Sequence, residues 1–318
     1  MTQKIIIDAD PGIGDALAIL TALVDPSLEV VGLTATAGTV SGIQATRNLQ
    51  YLIELVDPLK RPRIGECGRG SAVVGVSTDE TQTRHSYCGR HGLGDLEVSV
   101  PDLHNRRDSA KLIVELVQEF PHEVRLLTLG PLTNLATAIE LDPELPSLLE
   151  AAICLGGTNT APGDVSAVAE FNIWCDPESA AMVFESDIPR IAVPLDVSGS
   201  AMLTFEDVDV LTELISGTRH DEVLSSMLQF SLRANHQLAM EGIPLHGVVA
   251  LAVAAKAEAY SLEAARVDVE TSGELTRGMT VVDRRPGYKG QTNVDLVSSV
   301  DELGVVDYFS RSLRRVAG

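Results

Sequence analysis

Three aspartates near the start of the chain have the types and spacing needed to bind a cation or to handle a proton. Asp8, Asp10 and Asp15 belong to the segment DADPGIGD, which directly follows three isoleucines. Because side chains alternate along a strand, Asp8 and Asp10 share one face, and the Pro-Gly turn lets Asp15 approach. Carboxylates this close repel one another unless a cation or a shared proton is present, and Ca²⁺ and Mg²⁺ take such oxygen ligands. The simpler interpretation is that Asp10 and Asp15 only cap the following helix.

The segments around these aspartates alternate between strand and helix patterns. A buried strand at the three isoleucines is followed by a helix from Asp15 to Val24, a strand from Leu28 to Ala35 and a helix from Gly42 to Val56. This order is typical of a parallel sheet with helical crossovers. We therefore predict an α/β fold, with a mostly parallel sheet flanked by helices, in a single domain over residues 1–318. Ligands of such sheets bind at the carboxyl ends of the strands.

The same alternation continues toward the C-terminus. The later predicted strands are Val124–Leu129, Ala151–Leu155 and Arg190–Val193, and the later predicted helices are Ser109–Phe120, Glu206–Ile215, Asp221–Met240 and Leu245–Ala254. Short strands and turns are expected from Val267 to Val306. The segment Cys67–Asp95 is rich in Gly, Ser and Thr and has little periodicity, so we expect a long surface loop of the kind that often forms a lid.

Composition excludes several functional classes. The chain has 24 basic and 45 acidic side chains, a formal net charge of −21, which argues against electrostatic binding of nucleic acid. No apolar run approaches the roughly 20 residues that a membrane span needs, and the N-terminus does not have the pattern of a signal peptide. The four cysteines lack the spacing of a disulfide framework or a zinc ribbon. We expect a soluble cytoplasmic protein with neither nucleic acid nor membrane as a partner.

Several motifs together resemble one known family. The segment DADPGIGDALAIL is similar to the N-terminal signature of the inosine-uridine type nucleoside hydrolases. The resemblance continues in the family's order over nearly the whole chain, through GLTATAGTVSGIQATRN, HGLGD, LTLGPLTNLA, GGTNTAPGDVSAVAEFNIWCDPESA, PLHGVVALAVA and TNVDLVSSVDELGVVDYF.

The resemblance implies hydrolysis of the N-glycosidic bond of a small-molecule nucleoside in purine or pyrimidine salvage, by a homodimer or homotetramer with one Ca²⁺ at the strand ends. By position in the motifs, Asp10 would be a calcium ligand and the base that deprotonates the attacking water. Asp15 would be a second calcium ligand, and Leu129 would offer its backbone carbonyl. A nearby metal ion makes a water molecule easier to deprotonate at neutral pH.

The resemblance also assigns residues to the sugar and to the base. Glu170 and Asn172 would hold ribose hydroxyls, Phe171 would contact the apolar part of the nucleoside, and His246 would protonate the leaving base. Cleaving a glycosidic C–N bond builds positive charge on the sugar and negative charge on the base. Carboxylates near the sugar stabilise the first charge, and a histidine can supply a proton near pH 7. A lone histidine at the start of an apolar helix also has a purely structural interpretation.

The chain departs from the family pattern at five pocket positions. Gly14 replaces an aspartate that contacts the ribose 2′-hydroxyl, and Gly247 replaces an aspartate that binds calcium and ribose. Thr39 replaces an asparagine, Cys88 stands where histidine is common, and Asp164 replaces an asparagine facing the sugar's 5′ end. Thr39 and Asp164 therefore remain candidate substrate-binding residues.

Loss of two carboxylates has two expected consequences. Ca²⁺ takes about six to eight oxygens, so binding should be weaker or absent without a ligand at Gly247, unless Asp164 or Glu241 compensates. A sugar lacking the 2′-hydroxyl should be tolerated, because no buried carboxylate at Gly14 is left unpaired.

Two other functions stay open from the sequence. The chain could be a catalytically impaired relative that binds a nucleoside-like ligand. Alternatively, a DxD motif with Mg²⁺ could support phosphoryl transfer, with Asp8 as nucleophile and Asp10 as acid, although the later lysine and paired aspartate that such enzymes need are not evident.

Overall fold

The structure, a computed structural model, describes residues 2–68, 86–94, 96–256, 259–285 and 290–317. Its first strand, β1 (Gln3–Ala9), is buried from Ile5 to Ala9 on both faces. Continuous burial of this kind is typical of a central parallel strand. The strand ends directly before Asp10, so the sheet delivers this carboxylate to its carboxyl edge.

Strands and helices alternate through most of the described chain. The other strands are β2 (Leu28–Ala35), β3 (Arg63–Gly65), β4 (Val124–Thr128), β5 (Ala151–Leu155), β6 (Arg190–Val193), β7 (Met202–Thr204), β8 (Gly242–Pro244), β9 (Tyr260–Ala265), β10 (Val267–Val269), β11 (Thr280–Val282) and β12 (Val294–Val300). The helices are α1 (Ile13–Val24), α2 (Gly42–Val56), α3 (Ser109–Glu119), α4 (Thr133–Leu141), α5 (Leu145–Leu148), α6 (Phe171–Cys175), α7 (Pro177–Glu185), α8 (Leu195–Ser198), α9 (Phe205–Ile215), α10 (Asp221–Gln237), α11 (His246–Ala255) and α12 (Glu302–Ala317).

Within the described part of the chain, eight strands form one central sheet in the order β3-β2-β1-β4-β5-β6-β12-β9. Neighbouring strands are parallel throughout, except that β9 runs antiparallel to β12 at one edge. The predicted mostly parallel sheet flanked by helices is therefore confirmed. Strands β1, β2, β4, β5 and β6 all end at the same edge, where ligands of such sheets bind.

Helices cover both faces of this sheet. Leu17 of α1, Leu251 of α11 and Phe309 of α12 belong to one buried cluster, which also includes residues of α2. Leu112 of α3 and Phe184 of α7 belong to a second buried cluster on the opposite face. Helix α1 contacts α2, α11 and α12, so the N-terminal and C-terminal parts of the chain share one layer.

The C-terminal region differs most from the sequence prediction. Residues from Val267 onward do contain short strands, but the chain is helical from Glu302 to Ala317 in α12. Val305, Phe309 and Leu313 are buried at helical spacing, a pattern that the prediction overlooked. Strand β9 was also missed, because it lies at the sheet edge with most of its residues exposed and shows no alternation.

Much of the predicted surface loop Cys67–Asp95 lies outside the described residues. In the described stretch 86–94, Cys88 and Leu93 are buried rather than exposed. Across the described part of the chain, no helix combines the length and apolar character that crossing a membrane requires.

Candidate active site

A cavity of about 520 Å³ opens at the carboxyl edge of the sheet. All the site residues predicted from the sequence line it: Asp10, Asp15, Thr39, Leu129, Asp164, Glu170, Phe171, Asn172 and His246. Four of these are carboxylates, and the described residues that line the cavity include neither lysine nor arginine. The electrostatic environment therefore favours a cation or a developing positive charge.

Asp10 and Asp15 bring two carboxylates to the end of β1. Asp10 is buried, and its Oδ2 accepts a hydrogen bond from the backbone N–H of Thr39, in the turn after β2. Asp15 lies in the first turn of α1. Burial, followed by the negative charge of Asp10, raises the pKa of Asp15 well above its usual value, although a hydrogen bond from the Gly12 backbone opposes the shift. Gly12 rather than Asp10 is the N-cap of α1.

Asp8 lies close enough to Asp10 for the negative charge of Asp10 to act on it, but Asp8 does not line the cavity with Asp10 and Asp15. It is fully buried and is not among the cavity-lining residues. Its Oδ1 accepts hydrogen bonds from Thr34 Oγ1 at 2.6 Å and Asn134 Nδ2 at 2.8 Å. Burial raises the pKa of Asp8 to about 7. A nucleophile must reach its substrate, so the alternative of phosphoryl transfer to Asp8 is wrong.

The Leu129 carbonyl, predicted as a ligand, is held by a neighbouring amide. Asn172 Nδ2 donates to the carbonyl oxygens of Leu129 at 2.7 Å and Leu155 at 2.9 Å, which end adjacent strands. Both partners are acceptors, so the amide must place its nitrogen against them. This orientation leaves Asn172 Oδ1 as the amide atom that can accept a hydrogen bond.

Glu170 is the N-cap of the short helix α6. Its carboxylate accepts backbone hydrogen bonds from Gly157 at 2.9 Å, Asn172 at 3.0 Å and Ile173 at 3.2 Å. Burial, followed by the negative charge of Asp164, raises its pKa to about 7 despite these hydrogen bonds. A Cβ atom on Gly156 would come within 2.9 Å of Glu170 Oε2, so this approach requires glycine. Glu170 therefore titrates close to neutral pH inside the cavity.

The loop before Glu170 is held from both ends. Asp164 Oδ1 accepts the backbone N–H of Phe171 at 2.9 Å. Asp196 of α8 accepts the backbone N–H groups of Asn159, Thr160 and Ala161 at 2.6–2.8 Å. Partial burial opposes the ionisation of Asp196, but these hydrogen bonds together lower its pKa. Asp196 thus fixes the loop that carries two predicted site residues.

His246 begins α11 on the far wall of the cavity. Its Nδ1 lies 2.9 Å from the hydroxyl oxygen of Ser198, the last residue of α8. Gly247 follows it, and a Cβ atom placed there would lie 3.1 Å from the backbone oxygen of Gly14. At Gly14, an added Cβ atom would meet nothing within 4 Å. The two glycines thus sit side by side in the cavity wall and contribute no side-chain oxygen.

The residues present fit a calcium ion, with fewer protein ligands than the family resemblance implies. Asp10, Asp15 and the Leu129 carbonyl supply hard oxygen donors. The pKa of Asp15 is raised first by burial and then by the negative charge of Asp10, and a cation between the two carboxylates would relieve this second effect. Among the described residues, no group of three or more acidic, histidine or cysteine side chains has metal-binding geometry. Glu241 is exposed and is not among the cavity-lining residues, so it does not replace the oxygen missing at Gly247.

Several cavity residues were not predicted from the sequence. They are Tyr87, Leu155, Ser198, Ser231, Asn235, Met240 and Ile243. Ser198 lies five residues after the predicted strand Arg190–Val193, and a strand end in a parallel sheet is a signal that could have drawn attention to this segment. Ser231 and Asn235 are one helical turn apart in α10, but nothing in their spacing distinguishes them from ordinary helix residues.

Comparison with known proteins agrees with this geometry. Residues 5–307 match the sequence model of the inosine-uridine preferring nucleoside hydrolase family. Uridine nucleosidase 1 of Arabidopsis thaliana is 33% identical over 325 residues, covering 98% of this chain and 94% of that protein. The pyrimidine-specific ribonucleoside hydrolase RihA of Salmonella paratyphi B is 31% identical over 320 residues, covering 100% of both. The solved structure of a purine-preferring ribonucleoside hydrolase from Gardnerella vaginalis is 27% identical, with a TM-score of 0.88 over 99% of each chain. The chain therefore belongs to the inosine-uridine preferring nucleoside hydrolase family and is an N-glycosyl hydrolase.

Proposed function

We propose that the cavity hydrolyses the N-glycosidic bond of a nucleoside or related N-glycoside, with Asp10 as the general base and His246 as the general acid. The observation that carries this proposal is the convergence of Asp10, Glu170, Asn172 and His246 on one cavity from three separate segments of the chain. General acids and bases must lie within reach of one bound substrate, and this placement satisfies that condition.

In the proposed reaction, the bond between C1′ of the sugar and the base nitrogen breaks, and its electron pair leaves with the base. A water oxygen bonds to C1′, and Asp10 takes the proton that this water loses. His246 gives a proton to the departing base, so the products are the free sugar and the neutral base. Glu170 and the other cavity carboxylates stabilise the positive charge that develops on the sugar.

Asp10, Asp15 and the carbonyl of Leu129 would hold a calcium ion. When bound, calcium would supply positive charge that orients sugar hydroxyls and favours deprotonation of the attacking water. Because Gly247 adds no oxygen, we expect weaker binding than three carboxylate ligands would give. The catalytic contribution of Asp10 does not depend on that affinity, since its carboxylate lies in the cavity in either case.

The sugar preference follows from Gly14. Glycine carries no carboxylate at this position, so a sugar without a 2′-hydroxyl leaves no charge of residue 14 unpaired. We infer that 2′-deoxynucleosides are hydrolysed at rates comparable to ribonucleosides. The named relatives prefer different bases, so purine and pyrimidine nucleosides both belong in the test.

The decisive experiment measures base release by chromatography from ribonucleosides and 2′-deoxynucleosides, with added Ca²⁺ or with a chelator. Wild type should release base, and Asp10→Asn should reduce the rate by about 10²- to 10⁴-fold. Asp209→Asn, which changes an exposed acid on α9, is the matched control.

Saturable nucleoside binding without release would favour the catalytically impaired alternative. Release that is unaffected by chelator would remove calcium from the proposal. The molecular mass of the protein in solution would test the proposed homodimer or homotetramer. The proposed cytoplasmic salvage role requires that the protein hydrolyse nucleosides at neutral pH.

A further inference from the structure

Ser198 occupies a place beside His246 that no assigned role explains. Its side chain is 1% exposed, and its hydroxyl oxygen lies 2.9 Å from Nδ1 of His246. Both residues line the cavity. On another side of the imidazole, Gly199 approaches so closely that an added Cβ atom would lie 3.1 Å from Cε1. The ring is therefore confined by two consecutive residues at the end of α8.

The chemistry of a serine hydroxyl suits a histidine that changes its protonation state. A hydroxyl can donate to an unprotonated Nδ1 and can accept from a protonated one. Because Nδ1 keeps its proton when Nε2 gives one up, the hydroxyl can accept a hydrogen bond from Nδ1–H before and after proton transfer. It does so without the added negative charge that a carboxylate would bring. With Nδ1 bound in this way, the proton that reaches the base leaves from Nε2.

We propose that Ser198 is a positioning residue that orients the imidazole of His246 for protonation of the leaving base. This inference rests on the proposed function, in which His246 is the general acid. Partners of this kind typically change the activity of the residue they orient by about 10- to 100-fold. The effect should appear only in reactions whose leaving group needs a proton.

The location of Ser198 supports a dedicated role. Helix α8 follows β6 directly, and the N–H of Leu195 bonds to the Gly157 carbonyl in the loop before Glu170. In the same turn, Asp196 holds residues 159–161. One short helix therefore places the sugar-side loop and the base-side histidine relative to each other.

The test compares Ser198→Ala with wild type on two substrates: a natural nucleoside, and a p-nitrophenyl riboside, whose phenolate leaves without being protonated. We expect kcat on the nucleoside to fall about 10- to 100-fold. We expect kcat on the aryl riboside to stay within about twofold, because its cleavage does not use the acid. Ser198→Thr, which keeps the hydroxyl, should recover most of the nucleoside activity, and Ser200→Ala is the matched control.

Equal losses on both substrates would overturn the inference, because they would indicate a general structural role. Unchanged activity on the nucleoside would overturn it as well. A second measurement compares His246→Ala with the double variant. Ser198→Ala should add no further loss when the imidazole is already absent, and an additive loss would contradict positioning. If wild type releases no base from any nucleoside, the proposed function itself fails. If wild type is active and Ser198→Ala is equally active, only the inference about Ser198 fails.

Discussion

Replacing Glu170 with glutamine should change how the stability of the protein depends on pH. Raising the pKa of this carboxyl from 4.5 to about 7 corresponds to about 3 kcal/mol, since each pKa unit is worth about 1.4 kcal/mol. The side chain is 7% exposed, so solvent screening does not remove this cost. A buried glutamine keeps an acceptor oxygen and a similar shape, but it does not titrate.

The sign follows from proton linkage. The folded state binds the Glu170 proton more tightly than the unfolded state, so this group contributes its full stability below about pH 4.5. That contribution is lost as the pH rises from about 4.5 to about 7. Above about pH 7, Glu170 no longer makes the free energy of unfolding depend on pH. The free energy of unfolding of wild type should therefore fall by about 3 kcal/mol more than that of Glu170→Gln over this range. Asp8 and Asp15 titrate in both proteins and largely cancel in the difference.

Urea unfolding at half-unit intervals from pH 4.5 to 8, with a chelator present, measures this difference directly. In wild type, activity should rise over the same pH range in which stability falls, because the ionised carboxylate stabilises charge on the sugar. The free energies of unfolding of the two proteins could instead change with pH by the same amount, to within about 1 kcal/mol. This result would show that Glu170 ionises normally and would refute the argument from burial.

Three further changes test the surroundings of the site. Asp164→Asn removes the negative charge beside Glu170 but keeps an acceptor for the backbone N–H of Phe171. Without that charge the pKa of Glu170 should fall, so the rise of kcat with pH should occur at lower pH than in wild type. A shift of this rise to higher pH would contradict the argument. Asn172→Ala removes the amide that donates to the carbonyls of Leu129 and Leu155, so it should lower the free energy of unfolding by about 2 to 4 kcal/mol in urea titrations. A loss below about 1 kcal/mol would show that water replaces the amide. Asp196→Ala releases residues 159–161 and should raise KM for nucleosides more than it lowers kcat, and a change in kcat alone would argue against loop ordering.

Much of the candidate site could be predicted from the sequence because of a simple geometric rule. Parallel strands end at one edge, so polar residues that follow β1, β4 and β5 must converge there even though they are far apart in the chain. The positions of Asp10, Leu129 and Glu170 follow from this rule together with the family motifs. Their proposed roles, and the assignment of residues 1–318 to one domain, stay predictions.

Other features depend on contacts between distant segments, and the sequence does not reveal these. Strand alternation predicts that Asp8 and Asp10 share one face, but it does not show that Asp8 is fully buried against Thr34 and Asn134. The Ser198–His246 contact joins residues 48 positions apart, so no local pattern encodes it. Burial likewise determines the pKa of Glu170, and burial is known only once the fold is known.

The close approach of Gly247 to Gly14 also affects how readily an acidic side chain could be introduced at each of these positions. A Cβ atom at position 247 would lie 3.1 Å from the backbone oxygen of Gly14 and 3.2 Å from Cβ of Ala18, so α1 and α11 would have to give slightly at this contact. Position 14 accepts a side chain without any such movement. Aspartate is therefore expected to be tolerated differently at the two positions. The aspartate at 14 should be tolerated alone, and the one at 247 should need accompanying changes along the helix contact.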